Sequence, residues 1–445
     1  SEQVLTVLND VPDDGFSEAL NASFAANTGD AVNNNGTINL LGPSSTDNTS
    51  LIAGINTSTA GEKSGTVTLD LVSDGTGSSE LGLTTLAQQI INISGNVYRF
   101  ADADVSPSPV VIGNVHVGQS AQKSLTVANV ATADGFSESL NASFAANTGN
   151  AINNGGTINL LAAGANDSTS LVAGIDASSA GAKSGTITVD LISDGSGTSE
   201  LGQTALLSQT IAVSGNVYRF ADTNISPQPV SLANVHINDV SEQTLNVTNQ
   251  VATDGFSESL NANLGATSGD ATSNNGSFSA LAAGGTDNSS LVVGIDTSTV
   301  GAKLGSVAVN LASNGDGISN LGQTALTTQN VTVSGNVFGF AEADIDQTTL
   351  DFVMRRGDTP VQKVVGISNI AVSDGFHEGL DTSVQTLASG YSISGGESTN
   401  LAAGSSTNAT LSLTGATSGV FDGEVQFTLG SNGTISGLSN TALAG

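Results

Sequence analysis

The chain has 445 residues, no cysteine, and 40 acidic against 9 basic side chains, which gives a formal net charge of −31. This charge repels nucleic acid phosphates and anionic membranes, and the lack of cysteine excludes disulfides and thiolate metal sites. Hydrophobic residues make up 38% and recur in short alternating runs, so we expect many strands rather than disorder. No run reaches the roughly 20 apolar residues that span a bilayer.

The same segments recur every 120 residues along the chain. The tripeptide Asp-Gly-Phe begins at residues 14, 134, 254 and 374, and "SGNV" begins at residues 94, 214 and 334. The period predicts four tandem domains, numbered here as the first to fourth repeats: 1–96, 97–216, 217–336 and 337–445. A unit of this size can hold its own core, unlike the shorter repeats of solenoids.

The second repeat shows a period of two in short runs separated by turn residues, beginning with "PVVIGNVHV" (109–117). The residues predicted to share inward faces are, in chain order, Leu125, Val127, Leu140, Ala142, Phe144, Ile158, Leu160, Leu171, Ala173, Ile175, Ile187, Val189, Leu191, Ile211 and Val213. This pattern predicts seven or eight strands and no helix. We therefore expect an all-β fold of tandem antiparallel, immunoglobulin-like β-sandwiches.

The two ends of the chain are out of phase with the repeat. The first repeat lacks the segment that matches 97–120, and the fourth lacks the closing strand that matches 326–336. Either the sequence is an excerpt of a longer array, or neighbouring chains complete each other's sandwiches by strand donation. The sequence favours an excerpt, because both ends lack a strand and neither carries a spare one. The sequence begins with Ser1 and shows no basic and apolar leader, so we expect a mature or trimmed product.

The repeat also carries family-like motifs. The stretch "VSPSPVVIGNVHVGQSAQKSLTVANVATADGF" (105–136) combines a proline-led strand, a Gly-x-Val-x-Val-Gly step and an "LTVxN" run, and "SGTITVDLISDG" (184–195) and "IAVSGNVY" (211–218) follow. In these features it resembles the bacterial choice-of-anchor D repeats, which are related to the abnormal-spindle/Hydin-like immunoglobulin folds. The resemblance covers all four repeats and is weaker in the fourth, where 351–369 departs from the pattern. It implies an immunoglobulin-like fold in an exported surface protein, and it transfers no active site.

The stretch "DGFSE" (134–138) allows a structural interpretation and a cation-binding one. In the first, Asp134 and the following glycine form a turn, Phe136 is an apolar plug that the sandwich buries, and Glu138 is a solvated strand residue. In the second, Asp134 and Glu138 contribute oxygen ligands to Ca²⁺.

Supporting carboxylates for such a calcium site would come from Asp194 and Glu200, or from Asp102 and Asp104. The spacing of an EF-hand is absent, and later repeats place Asn314 and Asn432 where the second has Asp194. The sequence therefore favours the turn, and we assign no cofactor and no metal ligand.

Catalysis is not predicted. His116 and His236 occupy the same repeat position on an alternating strand and are predicted to face outward, while His377 replaces a serine in the fourth repeat's "DGFHE". The sequence contains no Gly-x-Ser-x-Gly elbow and no recurring Ser–His–acid order. We therefore predict that the protein is not an enzyme and assign no catalytic residue.

Arg99 and Arg219 follow tyrosine in "VYRF" near the ends of two repeats. Two interpretations stay open: these arginines bridge adjacent domains by pairing with acids such as Asp102, or they are solvated.

The leading functional prediction is a structural extracellular protein, a rod or filament on the cell surface or in the extracellular matrix. Repeats that all run in one direction can associate head to tail or laterally, and no nucleic acid partner is expected. The alternative is an adhesin or stalk that binds a glycan, a protein or Ca²⁺ through its loops. The divergent fourth repeat carries "MRRGD" (354–358), which includes an Arg-Gly-Asp tripeptide.

Overall fold

A computed structural model of the chain describes residues 2–415 and 417–444. All regular secondary structure in these residues is β-strand, as the sequence predicts. Nowhere in the described part of the chain is there a helix long and apolar enough to cross a bilayer. The chain divides into two compact units, Ser1–Val217 and Tyr218–Gly445.

The unit Ser1–Val217 contains the strands of the first two repeats. Those of the first repeat are β1 (Glu2–Val4), β2 (Val7–Leu8), β3 (Ala19–Gly29), β4 (Ala31–Asn33), β5 (Thr37–Leu41), β6 (Thr46–Asp47), β7 (Ile52–Ile55), β8 (Gly61–Asp74), β9 (Leu83–Thr85) and β10 (Gln89–Val97). Those of the second repeat are β11 (Ala103–Ser106), β12 (Val110–His116), β13 (Gln122–Ser124), β14 (Thr126–Asn129), β15 (Ser139–Gly149), β16 (Ala151–Asn153), β17 (Thr157–Leu161), β18 (Asn166–Asp167), β19 (Val172–Ile175), β20 (Gly181–Asp194), β21 (Gln203–Ala205) and β22 (Gln209–Tyr218).

The unit Tyr218–Gly445 contains the strands of the last two repeats. Those of the third repeat are β23 (Thr223–Ser226), β24 (Val230–Ser231), β25 (Val235–His236), β26 (Glu242–Thr244), β27 (Asn246–Asn249), β28 (Ser259–Gly269), β29 (Ala271–Ser273), β30 (Ser277–Leu281), β31 (Thr286–Asp287), β32 (Val292–Ile295), β33 (Gly301–Asn314), β34 (Gln323–Ala325) and β35 (Gln329–Phe338). Those of the fourth repeat are β36 (Ala343–Ile345), β37 (Val361–Asn369), β38 (Gly379–Leu387), β39 (Tyr391–Gly395), β40 (Ser398–Leu401), β41 (Ser406–Leu413), β42 (Val425–Asn432) and β43 (Thr441–Ala442).

The second repeat is a β-sandwich with one large and two small sheets. The large sheet has the order β12-β22-β20-β15-β17, with β21 paired to β20, and the small sheets are β11-β14-β18 and β13-β19-β16. Side chains from all three sheets and their flanking residues meet in one core, whose fully buried members include Leu125, Leu140, Leu171, Ile187 and Ile211. The tandem immunoglobulin-like sandwich predicted from the sequence is therefore confirmed.

The stretches predicted as seven or eight strands are divided into twelve segments in the second repeat. The division arises because one stretch of chain pairs in two sheets. Strand β13 pairs with β19, whereas β14, one residue further on, pairs with β11 and β18.

The predicted inward faces are confirmed at nearly every position, but Leu160 is an exception. Its side chain is 51% exposed, and its backbone φ of 52° lies in the left-handed region. The pairing of β15 with β17 shifts register here, and the Leu160 N–H donates to Asn141 Oδ1 at 2.6 Å. This irregularity turns Leu160 away from the face that Ile158 shares with the core.

The large sheets of the other repeats differ at one edge. In the third repeat, β24 and β25 lie beside β35 and run parallel to it, with Val230 opposite Val333 and Val235 opposite Val337. In the first repeat the sheet is β10-β8-β3-β5, and no strand among the described residues lies beyond β10. The fourth repeat has two four-stranded sheets, β36-β37-β41-β39 and β40-β38-β42-β43.

Candidate functional site at the repeat junction

The candidate site lies where the chain enters a repeat, and two short segments form it. We call Tyr98–Phe100, Tyr218–Phe220 and Phe338–Phe340 the entry tripeptides. We call the segments 134–138, 254–258 and 374–378, each Asp-Gly-Phe-x-Glu, the acceptor turns. Each entry tripeptide contacts the acceptor turn 36 residues further along the chain.

Backbone hydrogen bonds hold the middle residue of each entry tripeptide. The Arg99 N–H donates to the Phe136 carbonyl at 2.8 Å, and the Glu138 N–H donates to the Arg99 carbonyl at 3.0 Å. The same two bonds recur at Arg219 and, at 2.9 Å each, at Gly339. Strand β10 of the first repeat ends at Val97, and the backbone of Arg99 is already hydrogen-bonded to the second repeat. Tyr98 is therefore the only residue between the last paired residue of the first repeat and the first bonded residue of the second.

An aromatic pair covers this link. The ring of Tyr98 packs on that of Phe136 with centroids 5.6 Å apart, and the pairs Tyr218–Phe256 and Phe338–Phe376 are 5.5 and 5.6 Å apart. The equivalent Phe16 of the first repeat is 90% exposed. The prediction that Phe136 plugs its own sandwich is therefore wrong, because its ring packs on the entering chain instead.

An ion pair fixes the arginine of the entry tripeptide. Arg99 Nη1 lies 2.6 Å from Asp134 Oδ2 and 3.3 Å from Ser137 Oγ, and Arg219 pairs with Asp254 at 2.6 Å. The hydrogen bond from each arginine holds the pKa of its aspartate below the ordinary value. The partner of Arg99 is thus the acceptor turn rather than Asp102.

The fourth repeat replaces this ion pair by a different one. Gly339 stands at the arginine position, and a Cβ atom there would lie 2.5 Å from Cδ2 of His377. His377 Nδ1 lies 3.0 Å from Asp374 Oδ1, and this contact lowers the pKa of Asp374. His377 therefore occupies the arginine's space and takes its role as the partner of the turn aspartate.

The glutamate of the acceptor turn is buried. Glu138 is only 3% exposed, so its prediction as a solvated residue is wrong. Ser193 Oγ donates to Glu138 Oε2 at 2.7 Å, and Ser199 donates to the other oxygen. Ser193 Oγ also accepts the Ala101 N–H at 2.8 Å, so the serine links the entering backbone to the buried carboxylate. These donors compensate the cost of burying the charge.

The same glutamate–serine cluster recurs in every repeat, and this is a signal that sequence reasoning missed. The sets are Glu18 with Ser73 and Ser79, Glu258 with Ser313 and Ser319, and Glu378 with Ser431 and Ser436. In the first three repeats the serines follow the glutamate by 55 and 61 residues. A glutamate followed by two serines at these constant sequence separations in three repeats indicates a hydrogen-bonded carboxylate.

A histidine of the third repeat reaches the buried glutamate of the fourth. His236 Nε2 lies 2.9 Å from Glu378 Oε1, and the His236 ring stacks on Phe340 with centroids 4.3 Å apart. Just before β25, Asn234 Nδ2 donates to the Ser436 carbonyl at 2.7 Å. His116 is also buried, so the prediction that both histidines face outward is wrong. For His236 the reason is that the following repeat covers this face.

The carboxylates considered for calcium are not gathered around one point. Asp194 accepts hydrogen bonds from Ser196, Asn141 and Gln203, which lower its pKa far below the ordinary value. Asp102, Asp104 and Glu200 are exposed. Among the described residues, no group of three or more His, Asp or Glu side chains is placed to hold a metal ion. The prediction of no cofactor, and the alternative of a calcium site, both stay untested.

The fold and the junction together define an array of immunoglobulin-like β-sandwich repeats. No protein-family model and no curated protein matches this sequence. Among solved structures, the chain is similar to extracellular cadherin domains 1–4 of protocadherin gamma B7, with 10% identity over 94% of this chain and 91% of that one and a TM-score of 0.37.

Two further similarities are weaker. A three-immunoglobulin-domain fragment of titin aligns at 9% identity over 77% of this chain and 97% of its own, with a TM-score of 0.29. A protein of unknown function from Porphyromonas gingivalis W83 aligns at 10% identity over 53% and 99%, with a TM-score of 0.21. At these TM-scores the similarities carry no argument about function.

Proposed function

We propose that the chain is a structural protein that forms a rod or filament of tandem β-sandwich repeats on the cell surface or in the extracellular matrix. The observation that carries this proposal is the junction. Tyr98 is the only residue between the hydrogen-bonded parts of the first two repeats. Its ring pairs with Phe136, and the ion pair of Arg99 with Asp134 and the buried Glu138 lie beside it.

The junction supports a load-bearing role because it restricts motion between repeats. Domains joined by flexible linkers reorient freely, and relative motion is the default unless the interface is extensive. Here the entering backbone is bonded to the next repeat at Arg99 and again at Ala101. Between the third and fourth repeats, His236 and Asn234 add contacts on a second side of the link. Within each unit, these contacts restrict the motion of one repeat against the next.

The composition and the repeat pattern support an extracellular location and assembly into a filament. The net charge of −31 keeps chains soluble and limits nonspecific association. Repeats with one orientation can pack head to tail. The resemblance to choice-of-anchor D repeats supports a surface location.

The experiment is electron microscopy of native material extracted without denaturant. Continuous fibres with an axial period related to the 120-residue repeat would support a filament. Separate beaded particles would contradict it and would leave a stalk or adhesin that binds its ligand through its loops.

A second experiment tests the junction itself. Inserting Gly-Ser-Gly-Ser between Val97 and Tyr98 should broaden the distribution of angles between the first two repeats in single-particle images. The same insertion after Gly155, in an exposed loop, is the matched control and should leave the angles unchanged. Equal distributions for the two variants would refute a stiffening role for the short link.

A further inference from the structure

The chain contains two kinds of repeat junction. The first two entry tripeptides both read Tyr-Arg-Phe, and the acceptor turns that they contact both read Asp-Gly-Phe-Ser-Glu. The third junction differs on both sides, because its entry tripeptide reads Phe-Gly-Phe and its acceptor turn reads Asp-Gly-Phe-His-Glu. The arginine and the serine are therefore replaced together, by Gly339 and His377.

A third position changes with these two. Val300 directly precedes β33, whereas the equivalent positions 60 and 180 hold alanine. Gly339 is buried, and a Cβ atom on it would lie 3.2 Å from Val300 Cγ2 and 2.5 Å from His377 Cδ2. A side chain of the third repeat and one of the fourth thus fill the space that the stem of an arginine would need.

The ring of His377 is held in this position. Its Nδ1 lies 3.0 Å from Asp374 Oδ1, and its side chain is only 15% exposed. An arginine at position 339 would either push the ring away from Asp374 or overlap with it, and overpacking of this kind destabilises an interior. The histidine turn therefore disfavours an arginine-bearing tripeptide.

The serine turns disfavour a histidine for the converse reason. Arg219 Nη1 lies 2.6 Å from Asp254 Oδ2 and 3.3 Å from Ser257 Oγ. Ser257 is only 4% exposed, so an imidazole at this position would need the space that the guanidinium fills. Each turn is thus matched to its own tripeptide and mismatched to the other kind.

We propose that residues 339 and 377 form a recognition pair that restricts the fourth repeat to the entry tripeptide of the third and excludes the arginine-bearing tripeptides. Similar repeats can dock in the wrong order, within one chain or between two, and mismatched contacts raise the free energy of such products. The pair therefore specifies the place of the fourth repeat in the array. The proposal rests on the proposed function, because the order of repeats matters in an array that is assembled through its junctions.

The test is a double-mutant cycle in the full chain, measured by hydrogen exchange. The reporter is the amide of Glu378, which donates to the carbonyl of residue 339 at 2.9 Å. Its exchange rate is corrected for the intrinsic rate of each variant and compared with the amides of β42, which report the stability of the fourth repeat itself. This comparison separates opening of the junction from unfolding of the repeat.

The recognition pair predicts a specific pattern of rates. Gly339→Arg should accelerate exchange of the reporter about 5- to 150-fold relative to β42, the range expected for overpacking. His377→Ser should accelerate it at most about 5-fold, because the contact with Asp374 is a partly exposed ion pair. The two substitutions together should return the rate to within about 3-fold of the parent, since the arginine can then pair with Asp374.

A reciprocal cycle at the preceding junction is the matched control. Its reporter is the amide of Glu258, which donates to the Arg219 carbonyl at 3.0 Å. Ser257→His should accelerate exchange of this amide, and adding Arg219→Gly should reverse the effect. This cycle decides the question if Gly339→Arg prevents the fourth repeat from folding.

Rescue by the second substitution in each cycle would support the recognition pair. Additive effects in either measurable cycle, or an unchanged reporter in folded Gly339→Arg protein, would overturn it. Native material without fibres would contradict the filament while the rescue persisted, and fibres alongside additive variants would contradict only the recognition pair. The two failures are therefore distinguishable.

Discussion

Replacing Ser193 by alanine tests whether the buried glutamate holds the entering chain. Ser193 is fully buried, donates to Glu138 at 2.7 Å and accepts the Ala101 N–H at 2.8 Å. Ser193→Ala therefore leaves one carboxylate oxygen and one backbone N–H in the interior without this partner. Each such loss costs about 1–3 kcal/mol, so we expect the second repeat to lose about 2–6 kcal/mol of unfolding free energy.

Two assays on the full chain measure this loss. In calorimetry the transition of the second repeat should move down by about 8–24 °C, at roughly 4 °C per kcal/mol for a domain of this size. In hydrogen exchange, the amide of Ala101 should exchange at least about 30-fold faster, which corresponds to about 2 kcal/mol.

Ser73→Ala in the first repeat is the matched control. Ser73 donates to Glu18 in the same way, but no bond from an entering backbone N–H to its hydroxyl is found among the described residues. We expect Ser73→Ala to cause the smaller loss. If the two variants destabilise their repeats equally and the Ala101 amide keeps its protection, the serine does not connect the entering chain to the glutamate.

Three further predictions concern single positions. Gly339→Ala places a methyl group 2.5 Å from Cδ2 of His377 and should destabilise the fourth repeat by about 1–3 kcal/mol in urea unfolding, and adding His377→Ser should restore it; no rescue would show that the clash lies elsewhere. Position 400, the equivalent of 160 in the fourth repeat, is an asparagine, which adopts a left-handed backbone at lower cost than leucine. Leu160→Asn should therefore stabilise the second repeat by about 0.5–1 kcal/mol in calorimetry. A loss of stability would show that the leucine side chain contributes packing. The lowered pKa of Asp134 means that its contribution is fully present above the ordinary value of 3.8 and is lost as pH falls through the lower folded value. The angles between the first two repeats in single-particle images should therefore stay constant from pH 7 to about 4 and broaden only below, and broadening that begins near pH 6 would contradict this assignment.

Fold class and core could be predicted because both depend on local patterns. Alternation in "GTITVDL" determines that Ile187, Val189 and Leu191 share a face, and the structure buries all three. Leu160 escaped this reasoning because a bulge changes the side of the strand on which it lies, and the bulge depends on an amide 19 residues away at Asn141.

The junction could not be read from local patterns because its partners are distant in sequence. Glu138 resembles a solvated residue beside a turn until Ser193 and Ser199 are known to lie against it. His236 is 142 residues from Glu378, and only the packing of two repeats brings them together. The period identified the repeats, but the side chains that join them required the structure.

The parallel pairing at the edge of the large sheet has a mechanical consequence. In the third repeat, the chain enters at Arg219 and β23, and the next strands, β24 and β25, lie beside the last strand, β35, and run in the same direction. When the two ends of this repeat are pulled apart and the contacts of Arg219 and β23 have given way, β24 and β25 are drawn backward and β35 forward. The hydrogen bonds between them are then loaded together in shear and cannot open one at a time like a zipper. Tension along the chain at this edge would thus be shared by all hydrogen bonds of the parallel pair at once.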